Sequence, residues 1–461
     1  MSVNHLLDIG RSALQAAQFG LDVTGNNIAN VNTPNYTRQR PVYAPGVTVS
    51  LGGGVSHGSG VSVEGVQRIY DALLGHQVYK ANSEWADYEL REQTYRRIES
   101  VLYPSDETNL GKQIDEFFNA LHDLANNPGG LAERQVVLTK AESLASNFRN
   151  LHGSLEQEIR STNTLLEGYR DEINRLASEI ATINEEIGRL QGPNYTPNDL
   201  LDRRDALIQE LSGYVDPTVI EDERGLVTVL VSGGQPLVEG TTSHTLDLVD
   251  DPGGGNFYRV TIRDVDITDS LQGGKVKGLL EAGEEMVGFQ DDLDRLAATL
   301  IDQVNQAHTA GYDLDGNPGV EFFVPVDVSD PQDMARRIQV NISDPRLIAA
   351  AQEAAALPGD NRNALALAEL RDSKVMEGGT ISFAGFYQSL IGRVGSAVQD
   401  ATRTGAAKKA VYESMEQYKD SISGVSLEEE EIRLLAYQHA YQAAAKFMSV
   451  VDEILDELLA L

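Results

Sequence analysis

The strongest pattern for covalent chemistry in this chain surrounds Ser56. Gly54-Val55-Ser56-His57-Gly58 matches G-x-S-x-G, the turn that presents a nucleophilic serine in α/β-hydrolases. That turn needs a buried strand before the serine and a helix after it. Here Leu51-Gly52-Gly53 precedes the motif and Ser59-Gly60 follows it, so the surroundings indicate a glycine-rich loop. We therefore expect no catalytic residue.

Candidate metal ligands fit no known spacing either. None of the eight histidines forms an H-x-x-x-H pair. Asp313-Leu314-Asp315-Gly316-Asn317 resembles the opening of a calcium loop, but its glycine stands at the fourth place instead of the sixth. The twelfth place is Val324, which has no carboxylate to offer. A tight turn is the better interpretation, and we expect neither a metal nor a cofactor.

Composition excludes several classes of function. Hydrophobic residues make up 41% and charged residues 23% of the chain, as in folded domains. The net charge of −33 would repel nucleic-acid phosphates and anionic lipid headgroups, so we expect no nucleic-acid and no membrane partner. Without cysteine, disulfides and thiolate chemistry are unavailable. The first residues lack the pattern of a cleavable signal peptide, and no apolar run approaches the roughly 20 residues of a membrane helix.

Both ends of the chain carry the seven-residue spacing of helices that pack on other helices. The N-terminal row, which ends before Pro34, consists of Leu7, Leu14, Leu21 and Ile28. Two C-terminal rows follow the helix start at Ser426; they are Leu427, Leu434, Tyr441, Met448 and Leu455, and Tyr437, Ala444, Val451 and Leu458. Stripes this narrow cannot bury themselves alone, so we predict that the ends pack on each other and on neighbouring copies. A helical hairpin within one monomer is the alternative.

The middle of the chain predicts further helices and one small β-rich unit. Residues 68–101 and 110–126 have helical patterns, and heptad spacing from Ile159 to Leu190 predicts a long rod. From Val215 onward, alternating runs broken by glycine predict short strands, and Arg337 to Ile342 predicts another. The predicted fold class is α+β, mainly α. We expect three domains: 1–45 with 421–461 as a terminal-helix inner core, 46–214 with 272–420 as a helical domain, and 215–271 as a small β-rich outer domain.

The end of the first predicted helix resembles the N-terminal signature of the flagellar rod, hook and hook-associated proteins. Its family positions here are Asn26, Asn27, Ala29, Asn30, Asn32 and Thr33. The segment from Ser423 to Lys446 looks like the matching C-terminal tail. In the interior, Asn198–Asp205, Gly278–Ala282 and Ala310–Gly319 resemble the hook-associated type 1 branch of this family more than its hook subunits.

This resemblance implies a structural, non-enzymatic subunit of the extracellular flagellum, at the junction between hook and filament and required for filament assembly. It implies export through the flagellar type III channel without a cleavable signal peptide. The implied partners are the hook subunit, a second hook-filament junction protein, further copies in a ring, and a cytoplasmic export chaperone that masks the C-terminal helix. We expect the polymer interface to include the residues Leu7, Leu14, Leu21, Ile28, Leu434, Tyr441, Met448, Val451, Leu455 and Leu458.

Two alternatives remain open from the sequence. One is a different axial protein, a hook or rod subunit, which a β-dominated middle region would favour. The other is a hydrolase of cell-wall polymer, supported only by Ser56 and by scattered carboxylates.

Overall fold

The structure is a computed structural model that describes residues 3–50, 56–103, 109–192, 195–251, 257–326 and 332–460. Its α-helices are α1 (Val3–Ala29), α2 (Ala72–Leu102), α3 (Leu110–Asn126), α4 (Leu131–Leu190), α5 (Asn198–Ser212), α6 (Gly274–Thr309), α7 (Met334–Arg337), α8 (Arg362–Glu369), α9 (Phe383–Ser423) and α10 (Leu427–Ala460). Its strands are β1 (Gln39–Pro45), β2 (Val49–Ser50), β3 (Ser56–His57), β4 (Val61–Arg68), β5 (Thr218–Glu221), β6 (Val227–Val231), β7 (Gln235–Glu239), β8 (Thr242–Ser243), β9 (Leu246–Asp250), β10 (Tyr258–Ile262) and β11 (Val265–Asp266). This confirms the predicted α+β, mainly α, fold class.

The two terminal helices, α1 and α10, pack against each other in antiparallel orientation. Gly10 near the start of α1 faces Met448, whereas Gly20, further along, faces Tyr437. α1 ends at Ala29, shortly before Pro34, as the sequence predicts. α10 begins after Ser426, whose hydroxyl accepts a hydrogen bond from the backbone N–H of Glu429 at 3.5 Å.

An antiparallel ribbon of β1 and β4 covers a second side of α1. Its register runs from Gln39 opposite Arg68 to Pro45 opposite Val61. The Tyr43 hydroxyl donates to the carbonyl of Ala16 in α1 at 3.0 Å. The ribbon thereby ties the terminal pair to the chain that leads outward.

The body of the molecule is a helical assembly built around α4, which has 60 residues and is about 90 Å long at 1.5 Å per residue. α4 packs on α3, α5 and α6, and α2 packs on α6 and α9. Aromatic rings fill the centre. The ring centroids of Phe117 and Phe322 are 5.8 Å apart, and the ring of Phe118 stacks on that of Phe383. Apolar residues buried at three-four spacing on these helices give one continuous core.

Two small antiparallel sheets contact the distal half of α4. One has the strand order β5-β6-β7-β8 and the other β11-β10-β9. Alternate residues of β6, among them Val227, Val229 and Val231, are buried, and this alternation is the pattern seen in the sequence. The Asn184 side chain on α4 donates to the carbonyls of Val227 and Gly240 at 2.9 and 2.7 Å. The proposed division into three domains stays a prediction.

Two expectations about elements were wrong. Arg337 to Ile342 is not a strand: Arg337 ends the short helix α7, and Val340 makes an isolated bridge with Phe323. Two backbone hydrogen bonds join residues 339 and 341 to Val324 and Phe322, and this pairing is too short to form a strand. Ile338 and Ile342 are buried, and their alternation with exposed residues produced the strand-like pattern. The rod also begins at Leu131, well before Ile159, because α4 continues through a segment that packs on α3.

Candidate functional site: the paired terminal helices and their polar end

The centre of the α1–α10 contact is made of small residues on α1. Gly10, Ala17, Gly20 and Thr24 are all buried in this helix. A methyl group added at Gly20 would lie 2.5 Å from the Tyr437 ring, and one added at Gly10 would lie 2.3 Å from the Met448 sulfur. At both places the nearest atoms belong to α10 side chains, so a larger residue on α1 would force Met448 or Tyr437 to move.

The predicted interface rows lie beside this centre. Leu7, Leu14, Leu21 and Ile28 are half-buried, as are Leu434, Met448 and Leu455. Val451 is 2% exposed and Tyr441 is 41% exposed. The side chain of Leu458 lies outside the described residues. Both α10 rows contribute to the contact with α1, because Tyr437 of the second row faces Gly20 and Met448 of the first row faces Gly10. Ala444 and Val451 of the second row are buried. The role of the predicted residues in a polymer stays a prediction.

One apolar face of α10 is largely exposed, although Phe447 at its edge also touches Gly10 of α1. The exposed fraction of Ile432 is 68%, and further large apolar side chains on this helix are exposed as well: Leu435, Phe447, Val450 and Ile454. Ile432, Phe447, Val450 and Ile454 recur at helical spacing, with Ala436 and Ala443 between them, and so form one stripe. We call Ile432, Ala436, Ala443, Phe447, Val450 and Ile454 the outer stripe. A continuous exposed apolar surface of this kind is typical of a protein interaction site.

The family-motif residue Asn27 is the hub of a buried polar cluster at the end of the terminal pair. It is 1% exposed and uses its full hydrogen-bonding capacity. Its amide nitrogen donates to the Gln39 carbonyl at 2.8 Å and to the Glu430 carboxylate at 2.9 Å. Its oxygen accepts from the Tyr36 hydroxyl at 2.9 Å and from Gln39 N–H at 3.0 Å. Burial, with nearby Asp202 and Glu430, raises the pKa of Tyr36 to about 12, so the phenol stays a donor.

The other motif residues shape the turn that follows α1. Asn30 donates to the Asn26 carbonyl at 2.9 Å, Thr33 donates to Asn30 Oδ1 at 3.0 Å, and Asn26 donates to the Tyr36 hydroxyl at 3.2 Å. The side chains of Ala29 and Asn32 are exposed. The motif thus divides into residues that build the turn and residues that the turn presents to the outside.

A second polar cluster joins the terminal pair to the body through α5. Asp202 accepts from the backbone N–H of Thr37 at 3.0 Å and from Arg68 at 3.1 Å, and Arg68 also reaches Asp205 at 2.6 Å. Burial raises the pKa of Asp202, although the Thr37 and Arg68 hydrogen bonds oppose this shift. Arg204, buried on the same helix, donates to the Gly225 carbonyl at 2.6 Å beside β6. The resemblance singled out this stretch of α5, but its role as a connector was not foreseen.

A third contact lies where the chain leaves and re-enters the terminal pair. The backbone N–H of Arg38 donates to the carbonyl of Ser423 at 2.8 Å, and its guanidinium pairs with Glu429 at the start of α10. Reasoning from the sequence missed Arg38 and Arg68, and it placed Glu430 in the acidic run at the start of the C-terminal helix without identifying its contact with Asn27. The only available signal was the presence of charged residues next to the two recognised segments.

The sequence motifs that resembled a catalytic serine turn and a calcium loop adopt structures that differ from those sites. Ser56 and His57 form a two-residue strand that pairs with β2, and the next element is strand β4 instead of a helix; Gly54 and Val55 lie outside the described residues. Asp313 accepts from the backbone N–H groups of Asp315 and Asn317 at 2.9 and 2.8 Å, which makes the predicted tight turn. Across the residues that the structure describes, no group of three acidic or histidine side chains could hold a metal ion.

No helix in the described ranges is both long enough and apolar enough to cross a membrane.

Family models match three parts of the chain. The flagellar hook-associated protein FlgK helical domain matches residues 95–323. The flagella basal body rod protein matches residues 7–37, and the flagellar basal body rod FlgEFG protein C-terminal region matches residues 417–461. The two terminal matches coincide with α1 and α10.

Curated relatives align along nearly the whole chain. Flagellar hook-associated protein 1 of Escherichia coli K12 is 27% identical over 548 residues, which cover 99% of this chain and 100% of the relative. The protein of the same name from Bacillus subtilis 168 is 28% identical, and the alignment covers 98% of this chain and 97% of the relative. The solved structure of the flagellar hook junction protein FlgK from Burkholderia pseudomallei is 18% identical and has the same fold, with a TM-score of 0.68 over 76% of this chain and 100% of that chain. From its terminal helices to its helical middle, the chain belongs to the flagellar hook-associated protein 1 family.

Proposed function

We propose that this chain is the structural subunit of the bacterial flagellum that forms the first junction between hook and filament, and that the filament requires it for assembly. The single observation that supports this most strongly is the outer stripe of α10. A soluble monomer gains nothing from exposing a continuous apolar stripe on a terminal helix, whereas a subunit of a tubular lattice buries such a stripe against its neighbours.

The partners follow from this role. The hook subunit contacts the terminal helices from one side, a second junction protein contacts them from the other, and further copies complete a ring. A cytoplasmic chaperone covers the C-terminal helix before export, because an exposed apolar helix in a concentrated cytoplasm would associate at random. Export proceeds through the flagellar type III channel without a cleavable signal peptide, and the protein ends at the extracellular hook tip.

The helical middle region supports a junction protein over a hook or rod subunit. The long helix α4 and the paired helices α2 and α9 dominate the body, and the sheets are small. A β-dominated middle was the feature expected of the alternative. The hydrolase has no comparable support, since Ser56 lies on a short strand followed by strand β4. We expect Ser56→Ala to leave filament assembly unchanged.

A substitution on the outer stripe tests the proposal without disturbing the monomer. Val450 is 45% exposed, so Val450→Asp leaves the monomer folded. Once the stripe is buried between subunits, the same carboxylate costs several kcal/mol. Cells carrying this variant in place of the wild-type gene should have hooks without filaments and should lose flagellin to the medium, as seen by electron microscopy.

Gln442→Asp is the matched control, because Gln442 is exposed on the same helix on the side away from the outer stripe. It should assemble normally. Removing residues 427–461 should abolish both incorporation at the hook tip and chaperone binding, while residues 68–420 stay folded by circular dichroism. Filaments on cells with Val450→Asp, at wild-type number and length, would refute the proposed interface.

A further inference from the structure

The terminal pair has one register, which three contacts define. Gly10 meets Met448, Gly20 meets Tyr437, and Asn27 meets Glu430. Each step toward the end of α1 is matched by a nearly equal step back along α10. The contacts therefore belong to a single antiparallel alignment of the two helices.

The apolar part of this contact cannot specify the register by itself. On α1 the small residues Gly10, Ala17 and Thr24 repeat every seven positions, and on α10 Tyr437, Ala444 and Val451 do the same. A slip of one heptad, about 10.5 Å along the axis, would again oppose small residues to large ones. Some other feature has to make the slipped alignments unfavourable.

We infer that the Asn27–Glu430 hydrogen bond is the register lock of the terminal helix pair. Glu430 continues the row of Tyr437, Ala444 and Val451, where the periodicity leads one to expect an apolar residue. It is 1% exposed, and one carboxylate oxygen accepts from the Asn27 amide at 2.9 Å. Its other oxygen is buried with no hydrogen-bond partner among the described residues, and the Arg433 guanidinium is 3.7 Å from it. This buried carboxylate therefore depends on the Asn27 hydrogen bond, and an alignment of the helices that removes this bond is unfavourable.

A slip of one heptad loses this hydrogen bond, and in one direction the carboxylate also stays in the seam. After a slip of one heptad in one direction, Glu430 would face Gly20, which has no side chain to donate. In the other direction it would face the region beyond the end of α1. Asn27 would lose its contact as well, although its bonds to Gln39 and Tyr36 would persist. A buried polar pair inside an apolar seam thus selects one alignment without adding much stability.

Nearby contacts are less suited to this task. The Arg38–Glu429 ion pair lies at the surface, with the Glu429 side chain 56% exposed, and solvent screens it. The lock acts within one chain and does not depend on the proposed function. It matters most when copies are crowded together, because α1 of one copy can then meet α10 of another with no covalent connection to set the alignment.

The absence of cysteine makes the register directly measurable by introduced disulfides. The full-length chain with Gly10→Cys and Met448→Cys reports the native register. The chain with Gly10→Cys, Tyr441→Cys and Met448→Ala reports the slip of one heptad that brings Glu430 opposite Gly20. Met448→Ala makes room for the new Cβ, and positions 10 and 441 are too far apart to bond in the native register. Both pairs are combined with Glu430→Leu, with Glu430→Gln, and with Glu431→Leu, an exposed neighbouring glutamate that serves as the matched control. Oxidation is carried out on dilute monomer.

With Glu430 intact, we expect efficient formation of the native-register disulfide and almost none of the slipped one. Glu430→Leu should raise the slipped disulfide at least about tenfold while helix content by circular dichroism stays the same. Glu430→Gln, which keeps an acceptor oxygen for Asn27, and Glu431→Leu should behave like the parent. If Glu430→Leu keeps the native disulfide alone, the register is set elsewhere and the inference is wrong. Loss of helix content in this variant would also overturn it, since the pair would then provide stability and not alignment.

Discussion

Two glycines of α1 should respond in opposite directions to the same substitution. In a helix interior, Gly→Ala stabilises by about 0.8–1.0 kcal/mol through helix propensity. A methyl group at Gly25 meets no atom within 4 Å, so Gly25→Ala should gain this full amount. At Gly20 the methyl group lies 2.5 Å from the Tyr437 ring, and overpacking of this kind costs roughly 1–3 kcal/mol. The two variants should therefore differ by about 1–3 kcal/mol in the stability of the terminal pair.

Hydrogen exchange followed by mass spectrometry measures this difference locally, because amides of α1 exchange through opening of the terminal pair and not only through global unfolding. A gap of 1–3 kcal/mol corresponds to about 5- to 140-fold in protection. Protection of α1 peptides should rise in Gly25→Ala and fall or stay level in Gly20→Ala. Adding Tyr437→Ala to Gly20→Ala should restore the lost part, as in a double-mutant cycle. Equal gains in both single variants would refute the close approach of the two helices.

Three further predictions concern pH, the connection to the body, and salt. The buried ring of His308 donates to the Val320 carbonyl and accepts from Ala349 N–H at 2.9 Å, and burial lowers its pKa from 6.5 to about 4. The unfolded chain binds the proton first as pH falls from 6.5 to 4, so about 3 kcal/mol of stability present at pH 7 should be lost by pH 4 in urea titrations, and His308→Gln should lack this loss. Asp202→Ala removes the acceptor for Thr37 N–H and should speed hydrogen exchange in β1 while exchange in α4 stays unchanged. Because subunits with a net charge of −33 repel one another, in vitro assembly should accelerate between about 0.05 and 0.5 M salt; slower assembly at high salt would contradict this.

The terminal helices could be predicted from sequence because their signals are local. A seven-residue apolar repeat, Pro34 after α1 and Ser426 before α10 fix where the helices lie. The row that becomes buried was not predictable in the same way. Leu14 and Leu21 are more apolar than Gly20 and Thr24, yet the smaller residues occupy the centre because they permit the closer approach.

The polar end of the pair shows a different limit. Asn27 and Glu430 are separated by 403 positions, and neither has a local pattern that names the other. The resemblance marked Asn27 as a family position but gave no partner. A buried hydrogen bond between distant segments depends on the completed packing of the helices, which single-sequence periodicity does not contain.

The hydrogen bond between Arg38 and Ser423 places the departing and returning segments of the chain side by side. The segment from α2 to α9 is thus one long insertion between two chain segments that lie next to each other at the terminal pair. We expect that this insertion can be lengthened, shortened or exchanged without changing the terminal pair, provided that the two ends of the new segment lie equally close together. A foreign domain inserted between these two segments would leave the terminal helix pair intact.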